Sequence, residues 1–186
     1  IAHGVHDQLF KELDRQLEQL GLMLKKGTLV DATVIEAAPK RPKQNEDGTA
    51  GKSDIDPEAD WTKKGGRSLF GYKAHMGIDQ GSELIRKIAM TPAHVHDGEM
   101  LGQVVTGDED WAFADKAYDS RKNHKIVEER NIKNGILIKA TRKRKLVKIE
   151  KMCNRIVSKL RSAVERIFGT LKRSYRYSRA RYVGLR

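Results

Sequence analysis

The 186-residue chain holds a single cysteine, Cys153. That excludes a disulfide framework and a cysteine-based zinc site; without a partner nearby in sequence, Cys153 reads as a core residue or a bystander. No run of 18 or more apolar residues occurs and no signal-peptide pattern is present. A membrane partner is therefore not expected, and the protein is expected to be soluble and intracellular. There is no internal repeat. Acids are nearly missing from the last quarter: residues 139–186 carry 17 Lys and Arg but only 2 acids, Glu150 and Glu165. The first residue is Ile1 rather than Met, which suggests that N-terminal residues have been lost.

What is present is segregated charge. Residues 139–186 have a net charge of +15, whereas the first 138 residues have 20 bases and 23 acids, a net of −3. A near-neutral body with one strongly basic region suits a polyanion, nucleic acid before anionic membrane. Solubility alone needs no such segregation. The length fits one domain with a sizeable core.

Val5, Leu9, Leu13, Leu17 and Leu20 recur at helical spacing and predict an amphipathic helix over 5–21. Residues 28–36 (TLVDATVIE) read as a buried strand. Residues 39–66, rich in Pro, Gly, Asp and Lys and without periodicity, read as a long mobile loop. Strands are expected at 68–79 and 83–92, joined by the turn Asp79-Gln80-Gly81-Ser82. Residues 97–106 suggest a short helix, and 111–118 a strand running into a loop. Ser120 is placed to cap a helix over 121–131, and GILIKA (135–140) reads as a short strand. Met152, Ile156, Leu160, Val164, Ile167 and Leu171 trace a long helix from about 150 to 173. The order implies an α/β architecture, a hairpin-containing sheet with helices packed on it. Residues 1–27 form a helical lead-in, 28–175 the domain, and 176–186 a basic tail.

Three acids stand out. Asp31 lies between Val30 and Ala32 inside an apolar strand, where a carboxylate without a metal or a cation is costly. Asp115 follows Trp111-Ala112-Phe113-Ala114 at the C-terminal end of a strand, a position favoured for active sites in open sheets. Glu165 lies on the long helix. At about 100° per residue, Asn154, Ser158, Arg161, Glu165 and Lys172 fall within roughly 60° of one another. They form a polar stripe beside the apolar one. Each acid taken alone also reads as an ordinary paired or solvated residue, and an Arg161–Glu165 pair on a solvent face is the plain alternative. That base-before-acid order is the weaker one for a helix. Phosphodiester chemistry at neutral pH calls for charge neutralisation by hard cations held on carboxylate oxygens.

The strings TLVDATVIEAAP, FGYKAHMGID, FADKAYDS and RSAVERIFGTLKR, in that order, resemble the DDE-type transposases of bacterial insertion sequences, over roughly residues 20 to 186. The resemblance implies an RNase H-like fold: a mixed sheet with a three-strand meander and helices on both faces. It implies that Asp31, Asp115 and Glu165 are catalytic metal ligands for two Mg²⁺, with Mn²⁺ as an alternative. Asp31 and Asp115 would bridge both ions and Glu165 would complete one shell. In the family's glutamate signature, Arg161, Glu165 and Lys172 match, while Ser158 stands where tyrosine is frequent. Asn154 and the run Lys116, Ala117, Tyr118, Asp119 are shared with related transposases. Arg161 and Lys172 would hold phosphates. The implied reaction is in-line attack by water at a transposon end, followed by attack of the freed 3′-hydroxyl on target DNA, with no covalent protein intermediate. The implied partners are double-stranded DNA, both transposon ends and target, and a second copy in a DNA-bound homodimer, in the bacterial cytoplasm at the nucleoid.

Lys139, Arg142, Lys143, Arg144, Lys145 and Lys148 read as a backbone-tracking run or a solvated one. The tail interleaves Tyr175, Tyr177 and Tyr182 with arginines, a composition suited to backbone contact and base stacking or to a simple disordered basic end. His94, His96 and Asp97 are too few and too close for a complete zinc shell, and Asp97 reads as a helix cap. Lys73 and His75 are candidates to line the cleft. Two other functions compete: an RNase H-like nuclease that cuts without joining, and a non-catalytic DNA-binding remnant.

Overall fold

The computed structural model describes residues 5–43, 51–142 and 144–185, apart from the side chains of residues 6 and 7. Lys143, Arg186 and residues 44–50 of the expected loop lie outside the described residues. Helix α1 (Val5–Gln19) leads into β1 (Thr28–Glu36). Strands β2 (Asp60–Lys64), β3 (Arg67–Asp79) and β4 (Ile85–Pro92) follow, then the short α2 (Leu101–Val104) and β5 (Trp111–Ala114). Helix α3 (Arg121–Glu129), β6 (Lys133–Ile136) and the long α4 (Lys148–Ser174) complete the order.

β1 is central. Along one edge β3 runs antiparallel to it, from Thr28 opposite Asp79 to Glu36 opposite Gly71; β4 extends this into the expected meander. Along the other edge β5 runs parallel to β1, and β6 parallel to β5. A strand covered on both edges and both faces needs apolar residues almost throughout, as β1 has. Alternation splits those residues between two cores. Val30, Ala112 and Ala114 pack with Leu101, Val104 and Val127 on the face covered by α2 and α3. Leu29, Phe113, Ala74 and Met76 pack with Ala163 and Val164 of α4 on the other. Helices thus cover both faces of a mixed α/β sheet, the RNase H-like arrangement. Gly77 is where α2 closes on the sheet, since a Cβ there would lie 2.1 Å from the Val104 carbonyl oxygen.

Several boundaries differ from the sequence reading. Within the expected loop 39–66, Asp60–Lys64 forms β2, paired with the start of β3. Ala59 and Trp61 pack there against Phe70, and buried Asp56 accepts the Tyr72 hydroxyl. The expected strand 83–92 begins at Ile85, because Ser82 and Glu83 belong to the turn that Asp79 organises. The expected helix 97–106 is a 3-10 turn at Asp97–Met100 followed by α2. The expected strand 111–118 ends at Ala114 and passes into a 3-10 turn, Lys116–Tyr118. The expected strand 135–140 is displaced to Lys133–Ile136, because Asn154 of α4 takes both the N–H and the carbonyl of Ile138, each at 2.9 Å. Ser120 caps α3 as expected, accepting from the Asn123 N–H.

Candidate functional site

Parallel register builds the site. Val30 sits opposite Ala114 on β1 and β5. The residues that follow them are Asp31, still on β1, and Asp115, which leaves β5 to cap the 3-10 turn, about one strand spacing away (~4.8 Å between backbones). By alternation both face the side of Leu29 and Phe113, the side that α4 crosses. The opposite wall comes from α4. Ser158, Arg161, Ser162 and Glu165 line one groove of about 410 Å³ with Asp31, Asp115 and Lys116. The three acids thus share one open groove, with Glu165 across from the aspartates.

Arg161 lies between the two aspartates. Its Nη2 donates to Asp31 Oδ2 at 2.8 Å, and Nη1 is 3.9 Å from Asp115 Oδ1. The Arg161 side chain is largely enclosed, whereas that of Asp115 is half exposed. Asp31 also accepts its neighbour's N–H, from Ala32 at 2.8 Å. Burial pushes the Asp31 carboxyl above its ordinary pKa; Arg161 and the Ala32 N–H pull it down without prevailing, and Asp115 pushes it further up. A carboxyl group raised even beside a guanidinium is incompletely neutralised. Behind the aspartates, Tyr118 is buried, and its hydroxyl has no hydrogen-bond partner among the described residues. Burial, reinforced by Asp31 and Asp97, lifts its pKa well above the ordinary tyrosine value.

The donor set is chemically suited to a hard divalent cation, being all carboxylate oxygen. Two donors stand side by side and the third on the facing helix. Among the described residues, no three His, Cys, Asp or Glu side chains are close enough to hold one ion as they stand.

The other residues singled out in the sequence scatter. Ser158, Arg161 and Lys116 line the groove with the acids. Lys172 is further along α4, half-buried; burial, then the nearby Lys64, lowers its pKa. Asn154 clamps Ile138 with both of its polar atoms. Arg142 and Lys145 are exposed on the segment before α4, and Arg144 there is paired with Glu150. The cap at the 97–100 turn is His96, not Asp97, which instead pairs with Lys73 at 2.9 Å. His94 pairs with Asp60. Neither Lys73 nor His75 lines the carboxylate groove: Lys73 borders a smaller cavity with Lys63 and Lys64, and His75 is fully buried against Thr91. Lys64 was not foreseen. It stands next to a turn of two glycines at positive φ, Gly65 and Gly66, and its charge reaches both Asp31 and Lys172. The only sequence signal for it was a Lys-Lys-Gly-Gly string inside a stretch read as loop.

Among the described residues, no helix is long and apolar enough to cross a membrane. No solved structure matches the chain. The chain is 36% identical over 189 residues to the transposase for insertion sequence element IS1106 of Neisseria meningitidis serogroup B, an alignment covering 96% of this chain. The chain spans 65% of that relative's length. The family model described as transposase DDE domain matches residues 23–186, which include both aspartates, the glutamate and all of the sheet. The chain belongs to the transposase DDE domain family.

Proposed function

We propose that the chain cuts DNA at transposon ends and joins the freed ends to target DNA, using Asp31, Asp115 and Glu165 as the ligands of two divalent cations, Mg²⁺ or Mn²⁺. The observation that carries this reading is that Asp31 on β1 and Asp115 just past the end of the parallel β5 each follow the paired residues Val30 and Ala114, with Glu165 across the same groove. Family membership supplies the reaction class.

Bound divalent cations would neutralise charge on the attacking and leaving oxygens and acidify water at neutral pH. The chain's own groups would do the rest. Asp31 would supply oxygens from a strand and Asp115 from the turn that directly follows the neighbouring strand. Glu165 would close the set from α4. Arg161, now the counter-charge of Asp31, would turn toward a phosphate as that role is taken over. Lys116, exposed at the groove's rim, would meet the DNA backbone without reading sequence. Lys64 and Lys172 would extend the positive surface along α4. Double-stranded DNA is the substrate in this reading, and a homodimer would hold two ends together.

The test is nicking of supercoiled plasmid in Mg²⁺ or Mn²⁺ by the parent chain and by Asp31→Ala, Asp115→Ala and Glu165→Ala. Each substitution should lower the rate by at least about a hundredfold, the scale of losing one preorganised charge-stabilising group, with the far-ultraviolet circular dichroism unchanged. Strand joining is then read from plasmid integration of a labelled end. Cutting that survives all three changes would refute the assignment. Cutting without joining would leave the nuclease reading.

A further inference from the structure

A second cavity, of about 420 Å³, lies at the far end of α4, apart from the carboxylate groove. That volume is in the range of small-ligand sites. It is built by the segment after α4, which the sequence marks only as basic and tyrosine-rich. That segment is fixed to the sheet. The Glu36 N–H donates to the Ser178 carbonyl at 2.9 Å, and the Ala180 N–H to the Glu36 carbonyl at 2.7 Å. Arg179 donates to the carbonyls of Ala37 and Ala38, and the Leu185 N–H to Glu58. Tyr177 is half-buried, and its hydroxyl contacts Met90 Sδ at 3.7 Å.

On this frame two aromatic rings stand open: Tyr175 is 69% exposed and Tyr182 81%. Both line the cavity, together with Arg176 and Arg181. Neither of these arginines makes an ion pair or a side-chain hydrogen bond with a described residue. Ile35 and Tyr72 line it from the sheet side, and the Tyr72 hydroxyl is already bonded to Asp56. The cavity therefore offers flat aromatic faces on an apolar floor, with uncommitted guanidinium groups at its rim.

The geometry points to a site for an unpaired nucleotide: a nucleobase stacked between or upon Tyr175 and Tyr182, its flanking phosphates met by Arg176 and Arg181. Aromatic faces accept any base and guanidinium groups meet phosphate, so such a site binds strand rather than sequence. The cavity also lies at a useful distance. Along α4, Tyr175 is about 21 Å from Arg161 at 1.5 Å per residue; along β1, Ile35 is about 13 Å from Asp31. At 3.4 Å per nucleotide, a strand leaving the carboxylate groove reaches it after about four to six nucleotides. The site thus holds the strand that opens next to the cut. The proposal rests on the reading of the chain as a DNA-handling enzyme.

The experiment measures fluorescence anisotropy of two labelled probes in EDTA, where no cutting occurs: a 20-nucleotide oligo-dT and a 20-base-pair mixed-sequence duplex. The double variant Tyr175→Ala/Tyr182→Ala should bind oligo-dT at least about tenfold more weakly than the parent and keep duplex affinity within about twofold. The double variant with phenylalanine at both positions should match the parent, because stacking needs the ring and not the hydroxyl. Unchanged oligo-dT binding by the alanine variant overturns the site. So does equal loss of both probes, which marks general electrostatic or structural damage, or a loss as large in the phenylalanine variant. A parent that binds duplex but not oligo-dT overturns the pocket alone. A parent that binds neither overturns the DNA-handling reading beneath it.

Discussion

Two arginines in this molecule each sit between two acids. Arg86, on β4, donates to both oxygens of Asp108 at 2.7 and 2.9 Å and lies 3.7 Å from Glu109. Arg161, on α4, donates to Asp31 and lies 3.9 Å from Asp115. The arginines are similarly enclosed; their acids are not alike. Glu109 is buried, and its oxygens accept from the backbone N–H groups of Thr106, Gly107 and Asp108 and from the Thr106 hydroxyl. Burial works against the charge of Asp108, yet bonds from Lys25, Arg86 and Thr106 hold its carboxyl far below the usual range. At Asp31 the balance goes the other way, and burial prevails over Arg161. One arrangement has its anions fully answered, with Glu109 buried under backbone N–H groups and the exposed Asp108 held by both Arg86 and Lys25. The other leaves Asp31 short of positive charge at the wall of an open groove. That shortfall, rather than the presence of an ion pair, separates the candidate ligand Asp31 from a structural brace.

The brace should be the more costly to break. Arg86→Met leaves Glu109 buried and short of its cation, and should lower unfolding free energy by about 3–5 kcal/mol, read from urea denaturation. Divalent cations should not restore it. A cost below about 1 kcal/mol would show that the backbone N–H groups alone satisfy Glu109, and the contrast would weaken.

His75 shows what burial does to a basic group given only a neutral partner. It is fully buried, with Nε2 2.9 Å from Thr91 Oγ1. Burial lowers its pKa from 6.5 to about 4, a shift that Asp97 opposes and Lys73 assists. Between those values the unfolded chain takes up a proton that the folded chain refuses. The stability tied to a neutral His75 is complete above pH 6.5 and drains away as pH falls toward 4, by up to about 3 kcal/mol. His75→Gln removes the titrating group, so its stability should fall less steeply than the parent's across that window. Identical slopes would place the acid sensitivity elsewhere.

How far the sequence reveals this contrast depends on the residue. Asp31 stood out because a charge inside TLVDATVIE is unusual, and Asp115 because it follows an apolar strand. The polar stripe of α4 was legible from helical spacing, which correctly put Arg161 and Glu165 on one face. What could not be read was how these residues pair across elements. The Asp31–Arg161 bond joins residues 130 apart in sequence, and only the β1–β5 register makes Asp115 their neighbour. Asn154 shared the stripe yet turned inward, because the strand beside it offered two unpaired backbone groups at Ile138. β6 was misplaced for the same reason: pairing with β5 selected the polar Lys133 and Asn134, and its last bond is from the Leu137 N–H to Ala114, while the apolar Ile138 turned to Asn154. β2 was missed because DWTKK, set among Gly, Pro and Asp, has no period that a strand would show; its partner β3 and the packing of Trp61 on Phe70, 5.3 Å between rings, supply what the local sequence does not.

The smallest effect is the one that tests the open site most directly. Arg161→Met removes the guanidinium but leaves Asp31 and Asp115 beside a groove that water enters, so without metal the loss should be only about 1–2 kcal/mol. With both carboxylates then released, an added cation meets no competitor. Mg²⁺ should therefore raise the unfolding midpoint of Arg161→Met more than that of the parent, in proportion to its preference for the folded state. The same Mg²⁺ should do nothing for Arg86→Met, whose Glu109 is enclosed and whose Asp108 keeps Lys25 as its counter-charge. If Mg²⁺ stabilises the parent and Arg161→Met equally, arginine and cation do not share a place. The two arginines would then differ only in how their acids are hydrogen-bonded, and the case for Asp31 and Asp115 as joint ligands would rest on register alone.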